Sequence, residues 1–270
     1  RLGTLEMSVW LRLLDDPDSP FLAEIVTAFE KHVDPARLGL DDRLRLLQAS
    51  PVPVASLGLR LVQEQHQVLP LNRSQLAVVA SMGCGALARE AADWAIGIEA
   101  DYPADVAGTL EFLSTLFDAR LLPIREAAMT ALTPASTLWN EPSLWTRLVE
   151  SPHDDVRFGL IDRLDKRGGA PGQDTSSLAF VWTSVILGIQ RGSRWKPRAL
   201  EQIVSALAVP AEGPSVDHQV DGLISVIALS VRSIRMPERL AGLSAIARLL
   251  DEAPALESRV RRLVPELGLD

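Results

Sequence analysis

The residues best suited to chemistry in this chain are cations gathered in two stretches of its second half. Four basic side chains and an indole fall between residues 191 and 198, where the nearest acids in sequence are Asp174 and Glu201. Guanidinium and ammonium groups bind phosphates and carboxylates, and an indole adds contact area. The candidate binding residues, which we call the basic ridge, are Arg191, Arg194, Trp195, Lys196, Arg198, Arg232, Arg235 and Arg239.

The basic ridge has two interpretations. In a protein built from stacked pairs of helices, the turns within successive pairs lie on one edge of the stack. Such an arrangement would make the two stretches neighbours. The ridge then predicts a docking site for a phosphate, a nucleic acid backbone or an acidic protein segment. The simpler alternative is a solvated basic edge with no partner.

Cys84 is the one cysteine, and it stands between Gly83 and Gly85. Backbone flexibility and a helix N-terminus could activate such a thiol as a nucleophile. No histidine lies near it in the sequence, so a buried small residue at a close helix crossing is the preferred interpretation. A lone cysteine forms no internal disulfide and no zinc site, which fits a reducing compartment and a cytoplasmic location.

Other catalytic signatures are weak. Acidic pairs at Asp15-Asp16, Asp41-Asp42 and Asp154-Asp155 could share acid and base roles, but each is expected at a turn before a helix, where carboxylates act as caps. The four histidines are scattered without metal-ligand spacing, and the common phosphate-binding, nucleophile-elbow and zinc-protease motifs are missing from the sequence. We therefore predict no catalytic residue, no metal, no cofactor and no enzymatic activity.

The tryptophans of the second half divide into two groups. Trp145 and Trp182 lie on apolar helical faces and are predicted to be core residues. Trp139 and Trp195 lie in predicted turns beside polar residues. These two are the better candidates for contact with a partner.

Composition and charge restrict the partners. The chain has 47% apolar residues and a net charge of -8, with 12 basic and 20 acidic side chains in residues 1–150 and 15 of each in residues 151–270. The apolar stretches are too short for a membrane-spanning helix, so no membrane partner is expected. An acidic chain is repelled by nucleic acid, which disfavours that partner. A protein partner, for instance one with an acidic segment, fits better.

The elements that position these residues are helices. Apolar positions recur at intervals of three and four, and turn signals with Pro, Gly, Asp or Ser interrupt them every 12 to 20 residues. The predicted helices are Leu2–Leu14, Pro20–His32, Asp41–Ala49, Pro53–His66, Ser74–Met82, Ala86–Ile98, Ala104–Phe117, Leu121–Leu132, Pro142–Glu150, Asp154–Lys166, Ser176–Gln190, Lys196–Ala208, Val216–Val231, Pro237–Leu250 and Ala255–Leu267.

The second helix of six predicted pairs repeats apolar or small residues with +4 and +8 offsets, at steps of 32 to 43 residues. Small side chains at the middle position let a neighbouring helix approach closely. The repeated positions are Val54, Gly58, Val62; Leu87, Ala91, Ala95; Ile124, Ala128, Leu132; Val156, Leu160, Leu164; Ala199, Ile203, Leu207; and Ala241, Ala245, Leu249.

Two segments resemble the second helix of HEAT repeats, in which Pro and Asp in the turn precede an apolar-Arg step. These are Ser151–Arg157, continued by Leu160 and Leu164, and Leu122–Arg125, continued by Ala128 and Leu132. The resemblance covers residues 40–250. It implies an all-α, right-handed superhelical array of antiparallel helix pairs (an α-solenoid).

That fold predicts one domain over residues 1–270 with six to seven pairs, an N-terminal cap at 1–40 and a C-terminal cap helix at 251–270. The resemblance implies a non-catalytic scaffold for protein partners. Two alternatives remain: a nucleic-acid-binding or DNA-base-repair protein resembling the HEAT-like alkylpurine DNA glycosylases, and a phycobilin-type chromophore lyase. An irregular helical globule is the alternative fold.

Overall fold

A computed structural model describes residues 5–167, 175–188, 195–209 and 216–268. Within these ranges the fold is all-α, with fifteen α-helices, short 3-10 segments and no strand. The helices are α1 (Met7–Leu14), α2 (Leu22–His32), α3 (Leu40–Leu47), α4 (Val52–Val68), α5 (Arg73–Ala80), α6 (Ala88–Ala100), α7 (Val106–Phe117), α8 (Leu122–Ala131), α9 (Pro142–Glu150), α10 (Asp154–Arg167), α11 (Thr175–Leu187), α12 (Trp195–Ala208), α13 (Val216–Val231), α14 (Met236–Glu252) and α15 (Glu257–Leu263).

The predicted helices are confirmed, with most boundaries shifted by one to three residues. The last one differs most, because 3-10 turns at Pro254–Leu256 and Pro265–Leu267 bracket a helix of only seven residues. A proline cannot donate the backbone hydrogen bond that would continue a helix, so each proline begins a new short segment. No helix in the described ranges is long and apolar enough to cross a membrane.

The helices pack mostly in sequential pairs, as the repeat pattern predicts. The chain divides into two compact units, residues 1–139 and 140–270. In the first unit α3 packs on α4, α5 on α6 and α7 on α8, and α5 and α6 also contact α7 and α8 respectively. In the second unit the pairs are α9 with α10, α11 with α12 and α13 with α14, and α11 and α12 contact α13 and α14.

Each unit is built around the repeated positions of the second helices. Val54, Val62, Ala91, Ala128 and their counterparts in the second unit are buried, which confirms their predicted place in the core. Leu87 and Ala241 are half-buried. The side chain of Leu164 lies outside the described residues.

Gly58 shows why a small residue is needed at the middle of this pattern. A Cβ added to Gly58 would stand 2.2 Å from the backbone nitrogen of Leu47 and 2.5 Å from the carbonyl carbon of Leu46. Helices α3 and α4 therefore touch backbone to backbone, at a separation that no side chain larger than hydrogen permits.

The arginines of the two apolar-Arg steps, Arg125 and Arg157, form contacts within the protein. Arg125 is buried, and its Nη1 donates to the carbonyl oxygens of Ala119 at 2.7 Å and Arg120 at 2.9 Å, in the turn that precedes α8. These hydrogen bonds satisfy two carbonyl groups that lie between helices and accept no hydrogen bond within a helix. Arg157, at the equivalent step of α10, forms an ion pair with Asp154 one turn earlier. Both arginines thus hold the start of a second helix.

Candidate functional site

The described residues of the two stretches of the basic ridge meet in the second unit. Lys196 lies in the first turn of α12 and Glu238 in the first turn of α14, and the Lys196 Nζ donates to the Glu238 Oε1 at 3.0 Å. The N-terminal ends of α12 and α14 are therefore neighbours, in line with the predicted proximity of the two stretches. Arg191 and Arg194 lie outside the described residues.

Glu238 is the centre of this junction. Its carboxylate also accepts from the Ser233 Oγ at 2.8 Å and lies 3.4 Å from the Arg235 Nη1. Burial by itself would raise the pKa of Glu238, but the hydrogen bonds from Ser233 and Lys196 and the charges of Lys196 and Arg235 together lower that pKa below its ordinary value. Glu238 is therefore ionised at neutral pH and ties α12 to α14.

Lys196 consequently differs from its predicted role as an exposed cation. The side chain of Lys196 is only 10% exposed and that of Glu238 only 16%. A lysine held in this way satisfies an internal carboxylate, and contact with a partner would require the pair to break. The sequence argument considered only acids close in sequence, and Glu238 lies 42 residues away.

Two further ridge cations are also met by distant carboxylates. Arg198 pairs with Asp162 of α10, and both side chains are partly exposed. Arg232 lies 2.6 Å from Glu266 and donates to the carbonyl oxygen of Leu263 at 3.1 Å. The hydrogen bond from Arg232 lowers the pKa of Glu266. The charge of the ridge is thus partly neutralised from other helices.

Arg235 and Arg239 remain the most available cations. The Arg235 side chain is 55% exposed and shares Glu238 with Lys196. Arg239 is exposed, and no carboxylate of the described ranges lies within ion-pair distance of it. Trp195 is half-exposed at the start of α12. The functional assignment of the ridge stays a prediction, and these three side chains are its accessible members.

Sequence reasoning missed the apolar side chains beside these arginines. Ile234 is fully exposed in the turn before α14, and Met236 and Leu240 are exposed on the first turns of that helix. The available signal was an isoleucine between two polar residues at a predicted turn, where apolar side chains are uncommon. Arginine and apolar side chains thus share one surface.

The structure confirms the predictions for two tryptophans and contradicts the prediction for a third. Trp145 and Trp182 are buried, as predicted, and the Trp182 Nε1 donates to the Gln202 Oε1 at 3.0 Å. The expectation for Trp139 is wrong: it lies in the 3-10 segment Thr137–Asn140 but is only 4% exposed. A turn residue with a large apolar body packs inward when the core beneath it offers space, so the turn location did not imply exposure.

The remaining candidate groups are Cys84 and the acidic pairs. Cys84 is only 3% exposed, which confirms the predicted burial of its thiol. Asp41 and Asp154 lie in the first turns of α3 and α10, where a carboxylate opposes the helix dipole. Asp15 follows α1 at the start of the turn that precedes α2, as predicted, and it pairs with Arg45.

An open groove lies between α12 and α14, and its lining includes the apolar side chains of Leu200, Val204 and Ala245. Glu201 and Arg248 stand at its border. Among the described residues, no group of three or more His, Cys, Asp or Glu side chains is arranged to hold a metal ion.

Comparison with known proteins gives no family for this chain. No protein-family model matches it, and no curated protein and no solved structure matches it significantly. Its function must therefore be argued from the arrangement of its own residues.

Proposed function

We propose that this chain is a non-catalytic scaffold or adaptor that binds a protein partner through the basic ridge. The observation that supports it is the contact of the N-terminal ends of α12 and α14 through Lys196 and Glu238, with Arg235 and Arg239 exposed beside it. Interfaces are rich in arginine, and a guanidinium can bind a carboxylate in two places at once. An acidic segment of a protein is the partner that fits this surface best.

The architecture proposed for this scaffold is a HEAT-like α-solenoid, a right-handed array of antiparallel helix pairs. Its support is the packing in each unit, where first helices contact first helices and second helices contact second helices, as in stacked repeats. Small-angle scattering tests it. A radius of gyration clearly above about 18 Å, the value for a compact chain of this length, is expected, and a value at 18 Å contradicts the array.

The binding test uses affinity capture from extracts of the source organism at increasing salt. Arg235→Ser combined with Arg239→Ser is expected to release partners at lower salt than the parent does, because charge pairs at an interface are screened by ions. The matched control is Arg89→Ser with Arg248→Ser, which removes the same charge from other exposed helix surfaces. Equal salt tolerance of the ridge variant and the parent would exclude the ridge as the binding surface.

Nucleic acid is the second candidate, and exposed Arg235 and Arg239 are the observation in its favour, because arginine also binds phosphate. The net charge of -8 and the internal pairing of Lys196 and Arg232 oppose it. Purification with and without nuclease separates the two candidates. Material that absorbs excessively at 260 nm and loses its partners after nuclease treatment would favour nucleic acid.

A further inference from the structure

Three large apolar side chains project into solvent at one corner of the second unit. Ile234 is 102% exposed, Met236 63% and Leu240 57%. Met236 and Leu240 are four residues apart on one face of α14, and Ile234 lies in the turn directly before that helix. Single exposed apolar residues are ordinary, but a contiguous group with polar neighbours marks an interaction surface.

Positive charge surrounds this apolar group. The local ion pairs join three cations to two carboxylates, and a fourth cation lies beside them, so positive charge is in excess. The cations are Lys196, Arg232, Arg235 and Arg239, and the carboxylates are Glu238 and Glu266. Arg239 lies between Met236 and Leu240 in sequence and has no carboxylate partner in the described ranges.

We infer that this corner, formed by Ile234, Met236 and Leu240 with Arg235 and Arg239, is a docking patch for an acidic amphipathic segment of a partner protein. The inference rests on the proposed scaffold function and specifies the chemistry of the partner. Apolar side chains of the segment would cover the three exposed groups, and its carboxylates would pair with the guanidinium groups. An acidic partner alone would not account for the exposed apolar side chains, and an apolar partner alone would not account for the arginines.

Other occupants fit less well. A nucleic acid backbone would pair with the arginines but would leave Ile234 and Met236 in water. An anionic membrane would accept both kinds of side chain, but the net charge of -8 repels the chain from such a surface, and Glu238 and Glu266 lie within the same corner. A protein segment can satisfy both the apolar and the cationic groups.

The test selects peptides from a random phage-displayed library on the full chain, followed by affinity measurements on the enriched peptides by fluorescence anisotropy. Selected sequences are expected to combine acidic and apolar residues. Ile234→Ser with Met236→Ser should weaken their binding at least tenfold at every salt concentration, since apolar contacts are not screened. Arg239→Ser should weaken binding at low salt and make it less dependent on salt.

A second exposed apolar pair supplies the matched control. Val68 and Leu69 are 85% and 64% exposed, and no lysine or arginine lies between Arg60 and Arg73. Val68→Ser with Leu69→Ser removes a comparable apolar surface from the first unit, where the nearby Arg73 is already paired with Glu99 and Asp105, and it should leave peptide binding unchanged. Circular dichroism of each variant verifies that folding is retained.

Several results would overturn the inference. Peptides that lack acidic residues, peptides that lose binding in the Val68 and Leu69 control, or a library that yields no binder would each reject the patch. Sedimentation with phosphatidylserine vesicles that depends on Ile234 would reject a protein segment in favour of a lipid surface. Partners captured through another surface would reject this patch and leave the scaffold function standing, whereas capture of no protein partner would reject the scaffold function itself.

Discussion

Replacing Gly58 with alanine tests the close approach of α3 and α4 on which the packing of the first unit depends. The new Cβ would lie 2.2 Å from the Leu47 nitrogen and 2.5 Å from the Leu46 carbonyl carbon, both backbone atoms that cannot rotate away. Ordinary contact requires about 3.5 Å, so the two helices must separate by roughly 1 Å. Arg43 resists that separation, because it donates from α3 to the Leu61 carbonyl oxygen at 2.8 Å.

Two opposing effects set the size of the change. Alanine stabilises a helix interior over glycine by about 1 kcal/mol. Overpacking a core costs about 1 to 3 kcal/mol and more where the neighbour is rigid. Because the clash at Gly58 is with backbone, the upper end applies. We expect Gly58→Ala to lower the free energy of unfolding by about 2 kcal/mol.

The assay is urea denaturation followed by circular dichroism, with Gly97→Ala as the matched control. Gly97 lies in helix α6, is exposed, and has no atom within 4 Å of an added Cβ. Its replacement by alanine should therefore raise stability by about 0.5 to 1 kcal/mol. If Gly58→Ala is as stable as the parent or more stable, the backbone contact between α3 and α4 is wrong.

Three further predictions concern single side chains. Glu238→Gln should cost about 1 to 3 kcal/mol in urea denaturation, since it leaves the nearly buried Lys196 without a charged partner. Folding lowers the pKa of Glu238, so the stability that its carboxylate contributes is present above the unfolded pKa near 4.5 and is lost as the pH falls through the folded pKa. The parent should therefore lose more stability between pH 5 and 3 than Glu238→Gln does. The Cys84 thiol should react with a thiol reagent only as fast as the chain opens, and rapid labelling of the native protein would contradict its burial. Trp139→Ala should cost about 3 to 5 kcal/mol in stability, measured by denaturation, whereas Trp195→Ala at a half-exposed position should cost less, about 1 kcal/mol.

The helices were predictable because their information is local. Apolar spacing, prolines and turn residues define a helix through contacts three or four residues apart, so α9 and α13 begin and end at the predicted residues. The +4 and +8 pattern also predicted which faces are buried. Gly58, the smallest of its members, lies where α3 and α4 contact each other backbone to backbone.

The environment of the basic ridge could not be predicted in the same way, because ion pairs join distant parts of the chain. Arg198 pairs with Asp162, 36 residues away, and Arg232 with Glu266, 34 residues away. The charge of a segment counted along the sequence therefore overstates the charge that a partner meets. Trp139 shows the same limit for burial, since a turn residue can face either solvent or core.

The sequence by itself determined the helical class, the pairing of successive helices and the positions of their core faces, because each depends on residues within a few turns. Tertiary structure decided which ridge cations are internally neutralised, that Trp139 is buried, and that Ile234, Met236 and Leu240 are left exposed beside Arg239. Those outcomes depend on which helices meet across 30 or more residues of chain. The local spacing of apolar residues does not indicate which distant helices come into contact.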